Sequence, residues 1–220
     1  LHNSFGLQNG TSQPGESRQR AVHVLIGSTG LKICGAGQRL EEKHGVKARR
    51  QWHKLHLAVD ADTGEILAEV LTDQSISDIS QLEALLEQID IPITSFTGDG
   101  AYDSDETYQA ARRHSTVASI IIPPRMRKPQ NKHHGPSDQR NWHTNAIAHH
   151  GRMRWQSITG YGRRAKAETS MGRYKSIIGN RLRSRKLANQ KTEVILGCRI
   201  LNRMLNRARP NSVRVTETTA

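Results

Sequence analysis

The sequence predicts an α/β protein, a mixed sheet flanked by helices, and three observations carry that expectation. Two apolar runs, Trp52 to Val59 and Ile66 to Leu71, meet across an Asp62-Thr63-Gly64 turn, which is the pattern of an antiparallel hairpin. Ile79, Leu82, Leu85, Leu86 and Ile89 recur at helical spacing. Two further short apolar runs, Ile93 to Thr97 and Val117 to Ile122, alternate with polar segments of helical character.

Taken in order, residues 1–21 are rich in Gly, Ser, Asn and Gln without periodicity, and predict a loop or a truncated N-terminal segment. Val22, Val24, Leu25 and Ile26 predict a short buried strand ended by a turn at Gly27-Ser28-Thr29-Gly30. The basic segment Lys43 to Lys54 reads as a loop with strand edges. After the hairpin a helix is expected over Ser77–Ile89, stopped by Pro92. The strand Ile93–Thr97 runs into Gly98-Asp99-Gly100-Ala101-Tyr102-Asp103. An acid between glycines at the C-terminal end of a strand is open to close approach, and open α/β sheets place their active groups there.

A helix over about Asp105 to Arg113 precedes the strand that Pro123 and Pro124 close. From Met126 to Thr159 the pattern dissolves into Lys, Arg, His, Asn and Pro, which reads as a basic insertion. Its His133-His134 and His149-His150 pairs point in divergent directions and read as polar or DNA-facing residues rather than metal ligands. The last helix, about Gln190 to Arg207, carries an apolar stripe of Val194, Ile195, Cys198, Leu201 and Leu205, and residues 209–220 predict a disordered tail.

The net charge of +13 points to a polyanionic partner. It is concentrated: Arg112 to Arg209 holds 23 Lys and Arg against three acids, Asp138, Glu168 and Glu193. The second half is therefore the expected nucleic-acid surface. Low aromatic content, 4%, leaves few stacking platforms for unpaired bases and favours duplex DNA over RNA. Cys34 and Cys198 are too few for a disulfide scaffold or a cysteine zinc site, which suits a reducing cytoplasm. No apolar run approaches membrane-span length.

Within that half, Tyr161, Arg164, Glu168 and Lys175 are spaced by three, four and seven residues, so one helix face would carry them with Met171 beside. A lone carboxylate among cations suits a metal-holding acid flanked by phosphate-binding groups. A solvated Arg164–Glu168 pair is the plainer reading, worth a few tenths of a kcal/mol, and on this segment alone both stay open. Asp99 and Glu168 are the acids that stand out, and two-metal phosphoryl transfer needs such carboxylates around ions about 4 Å apart. Asp60 and Asp62 read first as turn formers.

The stretches TGLKICG, KHGVKARRQWHKLHLAVDADTGEILA, GDGAYD, IIPPR and GYGRRAKAETSMGRYK resemble the catalytic domain of bacterial insertion-sequence transposases of the DDE class, in the insertion-sequence-five group. The resemblance covers roughly Val22 to Arg207 and implies a catalytic domain over residues 22–208. It implies a ribonuclease-H-like fold, two Mg²⁺ (or Mn²⁺) ions held by three acids, and cleavage and transfer of double-stranded DNA by a homo-oligomer in the bacterial cytoplasm, at the nucleoid. By position Asp99 would be the second acid and Glu168 the third. Arg164 and Lys175 would contact DNA near the transferred phosphate with Tyr161 beside them, and Arg163, Arg173 and Arg125 would add to the DNA-binding cations. The family's first acid directly precedes Ser-Thr-Gly, and here that position is Gly27. The resemblance thus implies DNA binding with impaired chemistry, or a catalytically inactive DNA-binding remnant, with Asp60 the nearest candidate substitute.

Overall fold

The computed structural model describes residues 20–33, 52–125 and 138–207. The sheet is built on β1 (Val22–Ile33), which pairs antiparallel with β2 (Trp52–Asp60) on one side and parallel with β4 (Ile93–Thr97) on the other. β3 (Ile66–Asp73) completes the hairpin with β2, and β5 (Ser119–Ile121) runs parallel to β4, giving the order β3-β2-β1-β4-β5. The two-residue β6 (Arg181–Leu182) pairs with the far end of β1. This is the expected mixed sheet flanked by helices, consistent with a ribonuclease-H-like fold.

The turn expected at Gly27-Ser28-Thr29-Gly30 does not form. β1 continues through it, because β2 supplies partners along the whole length: Gly27 opposite Leu57, Ser28 opposite His56, Thr29 opposite Leu55 and Gly30 opposite Lys54. Gly30 is needed where the Trp52 ring crosses the strand, since a Cβ there would lie 3.1 Å from Trp52 Cε3. Pairing outweighed the local turn preference of two glycines.

Alternation along β1 assigns its two faces. Val22, Val24 and Ile26 pack with α1 (Leu82–Leu86) and α2 (Asp105–His114) in a core that includes Phe96, Tyr102, Tyr108 and Ile120. Leu25 and Leu31 face the other way, toward α4 (Ala165–Arg173) and α5 (Leu187–Arg207). Each fully buried leucine among them contributes about 1.5–3 kcal/mol. Gly27 lies between Leu25 and Leu31 in this period, so it belongs to the α4 face. α1 is shorter than the helix expected over Ser77–Ile89, with a 3₁₀ turn at Ile79–Gln81 in front of it. α5 begins at Leu187, three residues earlier than expected, and buries Val194, Cys198 and Leu201 of its stripe.

The expected basic insertion is regular from Asp138 on: Asp138–Thr159 is helical (α3), with a reversal at Gly151 (φ 76°, ψ 162°), a conformation essentially reserved for glycine. In a straight helix His143 and Trp155 would be about 18 Å apart. Here they are hydrogen-bonded at 3.0 Å, so the chain doubles back at Gly151. The helix carries no apolar stripe because it seals a sheet edge with polar groups. Gln139 accepts from Ile120 N (2.6 Å) and donates to Ala118 O (3.1 Å). The opposite edge is treated alike, Asn202 bonding Ile66 N and O and Gln88 bonding Glu69 N and O. His149 and His150 are exposed on α3. Residues 1–19, Cys34, residues 43–51, His133, His134 and the tail 209–220 lie outside the described residues. No helix among the described residues is long and apolar enough to cross a membrane.

Two buried histidines are held neutral. Burial lowers the pKa of His56, with Asp78 opposing and Lys54 assisting, and burial lowers that of His143 against the Ile120 carbonyl and the Asp103 charge. A depressed histidine pKa means that the unfolded chain takes up protons first as pH falls through 6.5. Stability is therefore expected to be level above that pH and to decline below it, by urea unfolding, and His143→Gln should flatten the decline.

Candidate functional site

Parallel pairing of Leu25 with Thr97 sets the level of the next residues: Asp99, two beyond Thr97, comes level with Gly27, two beyond Leu25. Asp99 is extended (φ −79°, ψ 175°), and its carboxylate accepts from Ala101 N at 2.7 Å, capping the 3₁₀ turn Gly100–Tyr102. Tyr102 plugs the core beneath, where burial, then the charges of Asp78 and Asp99, push its pKa up. Gly98 permits this, since a Cβ there would meet Tyr102 Cδ2 at 3.2 Å and Ile26 Cδ1 at 3.3 Å. Asp103 clamps the far end of the loop, accepting from Arg125 N (2.8 Å) and from Arg140 Nε (2.7 Å) and Nη2 (2.8 Å).

The segment expected as one helix face is built in three windings. Tyr161–Arg164 is a 3₁₀ turn, α4 follows, and Tyr174–Ile178 is a π turn. Arg164 Nη1 donates to Glu168 Oε1 at 2.7 Å and Nη2 to Asp99 Oδ2 at 3.3 Å. Two acids 69 residues apart in the chain thus meet on one guanidinium. Burial opposes the charge of Arg164, but the Glu168 hydrogen bond and the charges of Tyr161, Asp99 and Glu168 more than offset it, so its pKa is raised. The Arg164 side chain is 22% exposed, against 39% for Asp99 and 64% for Glu168, so the cation is the shielded member and the acids face solvent.

Gly27 faces Met171 of α4. A Cβ on it would lie 2.8 Å from Met171 Cε, and Met171 stands one turn after Glu168 on α4. The structure therefore brings Gly27, Asp99, Arg164 and Glu168 into one neighbourhood. Asp60 is elsewhere. It pairs with Val24, about 10 Å along β1 from Gly27 at 3.3 Å per residue. Its carboxylate, 2% exposed as a residue, is taken up by Asp62 N (2.9 Å), Thr63 Oγ1 (2.7 Å) and Arg20. Asp60 is a turn former, set apart from the Asp99–Arg164–Glu168 group, and not the substitute acid the sequence suggested.

The other expected cations are scattered around the pair. Arg163 is paired with Asp62. Arg125 overhangs the Asp99 loop, its Nε 3.6 Å from where a Cβ on Gly100 would be. Arg173 and Lys175 are half-buried on α4 and the π turn. Among the described residues, no group of three or more His, Cys, Asp and Glu is arranged to hold a metal ion. Sequence reasoning missed Asp78, which accepts from Ser28 Oγ (2.9 Å) and Lys54 Nζ (3.2 Å) and so ties the strand beside Gly27 to the start of α1. It also missed Arg140 and His143, whose only signal was their place in a segment without periodicity.

A family model described as a transposase DDE domain matches residues 18–203 of the chain.

Two glycines of this region differ in what surrounds them. At Gly27 the crowding atom is the free end of a flexible methionine, whereas a Cβ on Gly197 would meet the Tyr174 ring (2.9 Å) and Ile178 (3.1 Å). Gly27→Ala is expected to change stability by less than about 1 kcal/mol, and Gly197→Ala to lower it by about 1–3 kcal/mol, by thermal or urea unfolding.

Proposed function

Because the chain belongs to the DDE transposase family, a transposase domain with DNA as its partner, we propose that it is the catalytic domain of an insertion-sequence transposase of the insertion-sequence-five group, with Gly27 where the first acid of an intact site would stand. Asp99 and Glu168 are the second and third acids. The observation that carries this reading is their convergence on Arg164, with Asp99 level with Gly27 across the β1–β4 pairing.

Divalent ions such as Mg²⁺ want several hard oxygen donors, and a pair of them needs carboxylates enough to offset their mutual repulsion. Asp99 and Glu168 are the right chemistry, but they are two, and a guanidinium already stands between them. Position 27 supplies no side-chain oxygen, and the Met171 methyl would lie 2.8 Å from a Cβ there. The residues present do not fit a two-metal centre.

What remains is a phosphate-binding surface. Arg164, Lys175, Arg173, Arg163 and Arg125, with Tyr161 beside them, lie on the basic half of the chain and can hold a DNA backbone without reading its sequence. On this reading the protein engages duplex DNA in the bacterial cytoplasm as a homo-oligomer, with its strand-cleaving chemistry impaired. A second reading, a DNA-binding remnant with no chemistry at all, is favoured by the same Met171 contact.

Restoring the carboxylate separates the two. Gly27→Asp is expected to raise Mg²⁺-dependent cleavage of an element-end duplex at least about a hundredfold over the unaltered chain, roughly 2.7 kcal/mol of barrier. The gain should vanish when Asp99→Ala is added; no gain in a folded Gly27→Asp protein establishes the remnant. For DNA affinity, five cations on phosphates predict a fall of several hundredfold between about 50 and about 200 mM salt. A flat salt dependence by fluorescence anisotropy would remove the basic face from the account.

A further inference from the structure

A line of direct contacts runs from the sheet edge to the Asp99–Glu168 pair, and a buried histidine stands in the middle of it. His143 Nε2 lies 2.7 Å from Ile120 O, so that nitrogen carries a proton and donates it. His143 Nδ1 lies 3.0 Å from Trp155 Nε1, and an indole N–H only donates, so Nδ1 is bare and accepts. Together the two bonds select one neutral tautomer. Asp103, the charge that acts on His143, is itself paired with Arg140.

Trp155 is fully buried, and its ring centroid is 5.1 Å from that of Tyr161. Tyr161 opens the 3₁₀ turn that ends at Arg164. It closes with Arg163 N donating to Gly160 O at 3.0 Å, and Arg163 is tied to Asp62. The turn follows Gly160 in the left-handed region (φ 69°), and Arg164 Nε is buried without a hydrogen-bond partner. Besides its two carboxylate partners, what orients the guanidinium is the aromatic packing behind the turn.

We propose that His143, protonated on Nε2 alone, is a positioning residue for Arg164: it locks Trp155, and Trp155 locks the Tyr161–Arg164 turn where one guanidinium reaches both Asp99 and Glu168. The geometry stands by itself; its consequence for DNA rests on the transposase reading. Burial, which pushes the His143 pKa down, favours the same neutral form. A second proton would turn Nδ1 from acceptor to donor and break the bond to Trp155.

Three variants test this. His143→Leu removes both bonds, His143→Gln keeps one donor and one acceptor on a neutral side chain, and Trp155→Phe keeps a ring against Tyr161 but loses the N–H. The first readout uses no DNA: solvent exchange of the Arg164 Nε–H by nuclear magnetic resonance, its signal assigned by its loss in Arg164→Lys. His143→Leu and Trp155→Phe are expected to speed this exchange about tenfold or more while circular dichroism stays native, and His143→Gln to restore most of the protection. Unchanged exchange in either folded variant overturns the proposal, and Trp155→Phe decides it if His143→Leu does not fold. The second readout is duplex affinity: His143→Leu should weaken binding about three- to tenfold, with no further loss in an Arg164→Ala background. Additive losses overturn it. A wild-type chain that binds no duplex DNA sinks the transposase reading instead, and the exchange measurement still decides this one.

Discussion

One guanidinium joins the two halves of the chain. Asp99 comes from the end of a parallel strand and Glu168 from a helix that follows a long basic segment, and Arg164 is hydrogen-bonded to both. Without a cation between them the two carboxylates would repel where strand register and helix packing bring them close. Much of the surrounding architecture serves this meeting. Asp103 and Arg140 clamp the loop, Ala167 and Met171 seat α4 on β1, and the reversal at Gly151 brings Trp155 behind the turn that carries Arg164.

How this arrangement persists with a glycine at position 27 follows from where the placement comes from. The level of Asp99 is set by the pairing of β1 with β4, and the height of Glu168 by the packing of α4 on Leu25 and Leu31. Neither depends on a side chain at position 27. The frame around position 27 is thus set without a side chain there, and the Met171 methyl lies close to where a Cβ would stand. In this transposase DDE domain the meeting of Asp99 with Glu168 is therefore a property of strand register and helix packing.

What the sequence revealed was what local chemistry decides. The β2–β3 hairpin was legible because Asp60, Thr63 and Gly64 are turn residues acting within five positions, and β4 and α2 because their apolar spacing is their own. Of the site, the Arg164–Glu168 bond was legible as a four-residue spacing. Its link to Asp99 depended on strand register, which no spacing encodes, and was reachable only through family resemblance. β1 was cut short at Gly27 because two glycines look like a turn until β2 is laid beside them. α3 was missed because its buried side is His143, Ala146 and Trp155 across a glycine reversal, which leaves no stripe to find. Asp60 drew attention as an acid at a strand end, yet its oxygens are consumed by its own turn and by Arg20.

The amide side chains at the margins of the sheet have a consequence for how copies can gather. Gln139 occupies the outward backbone of β5, and Asn202 and Gln88 that of β3, each mimicking the donor and acceptor of a neighbouring strand. At those positions an incoming chain finds nothing left to bond, which guards a strongly cationic protein against ribbon-like growth while it is crowded onto a nucleic acid. Among the described residues, the exposed Leu196, Ile200 and Met204 ridge of α5 offers an apolar surface of a different kind, one made of side chains and not of backbone groups.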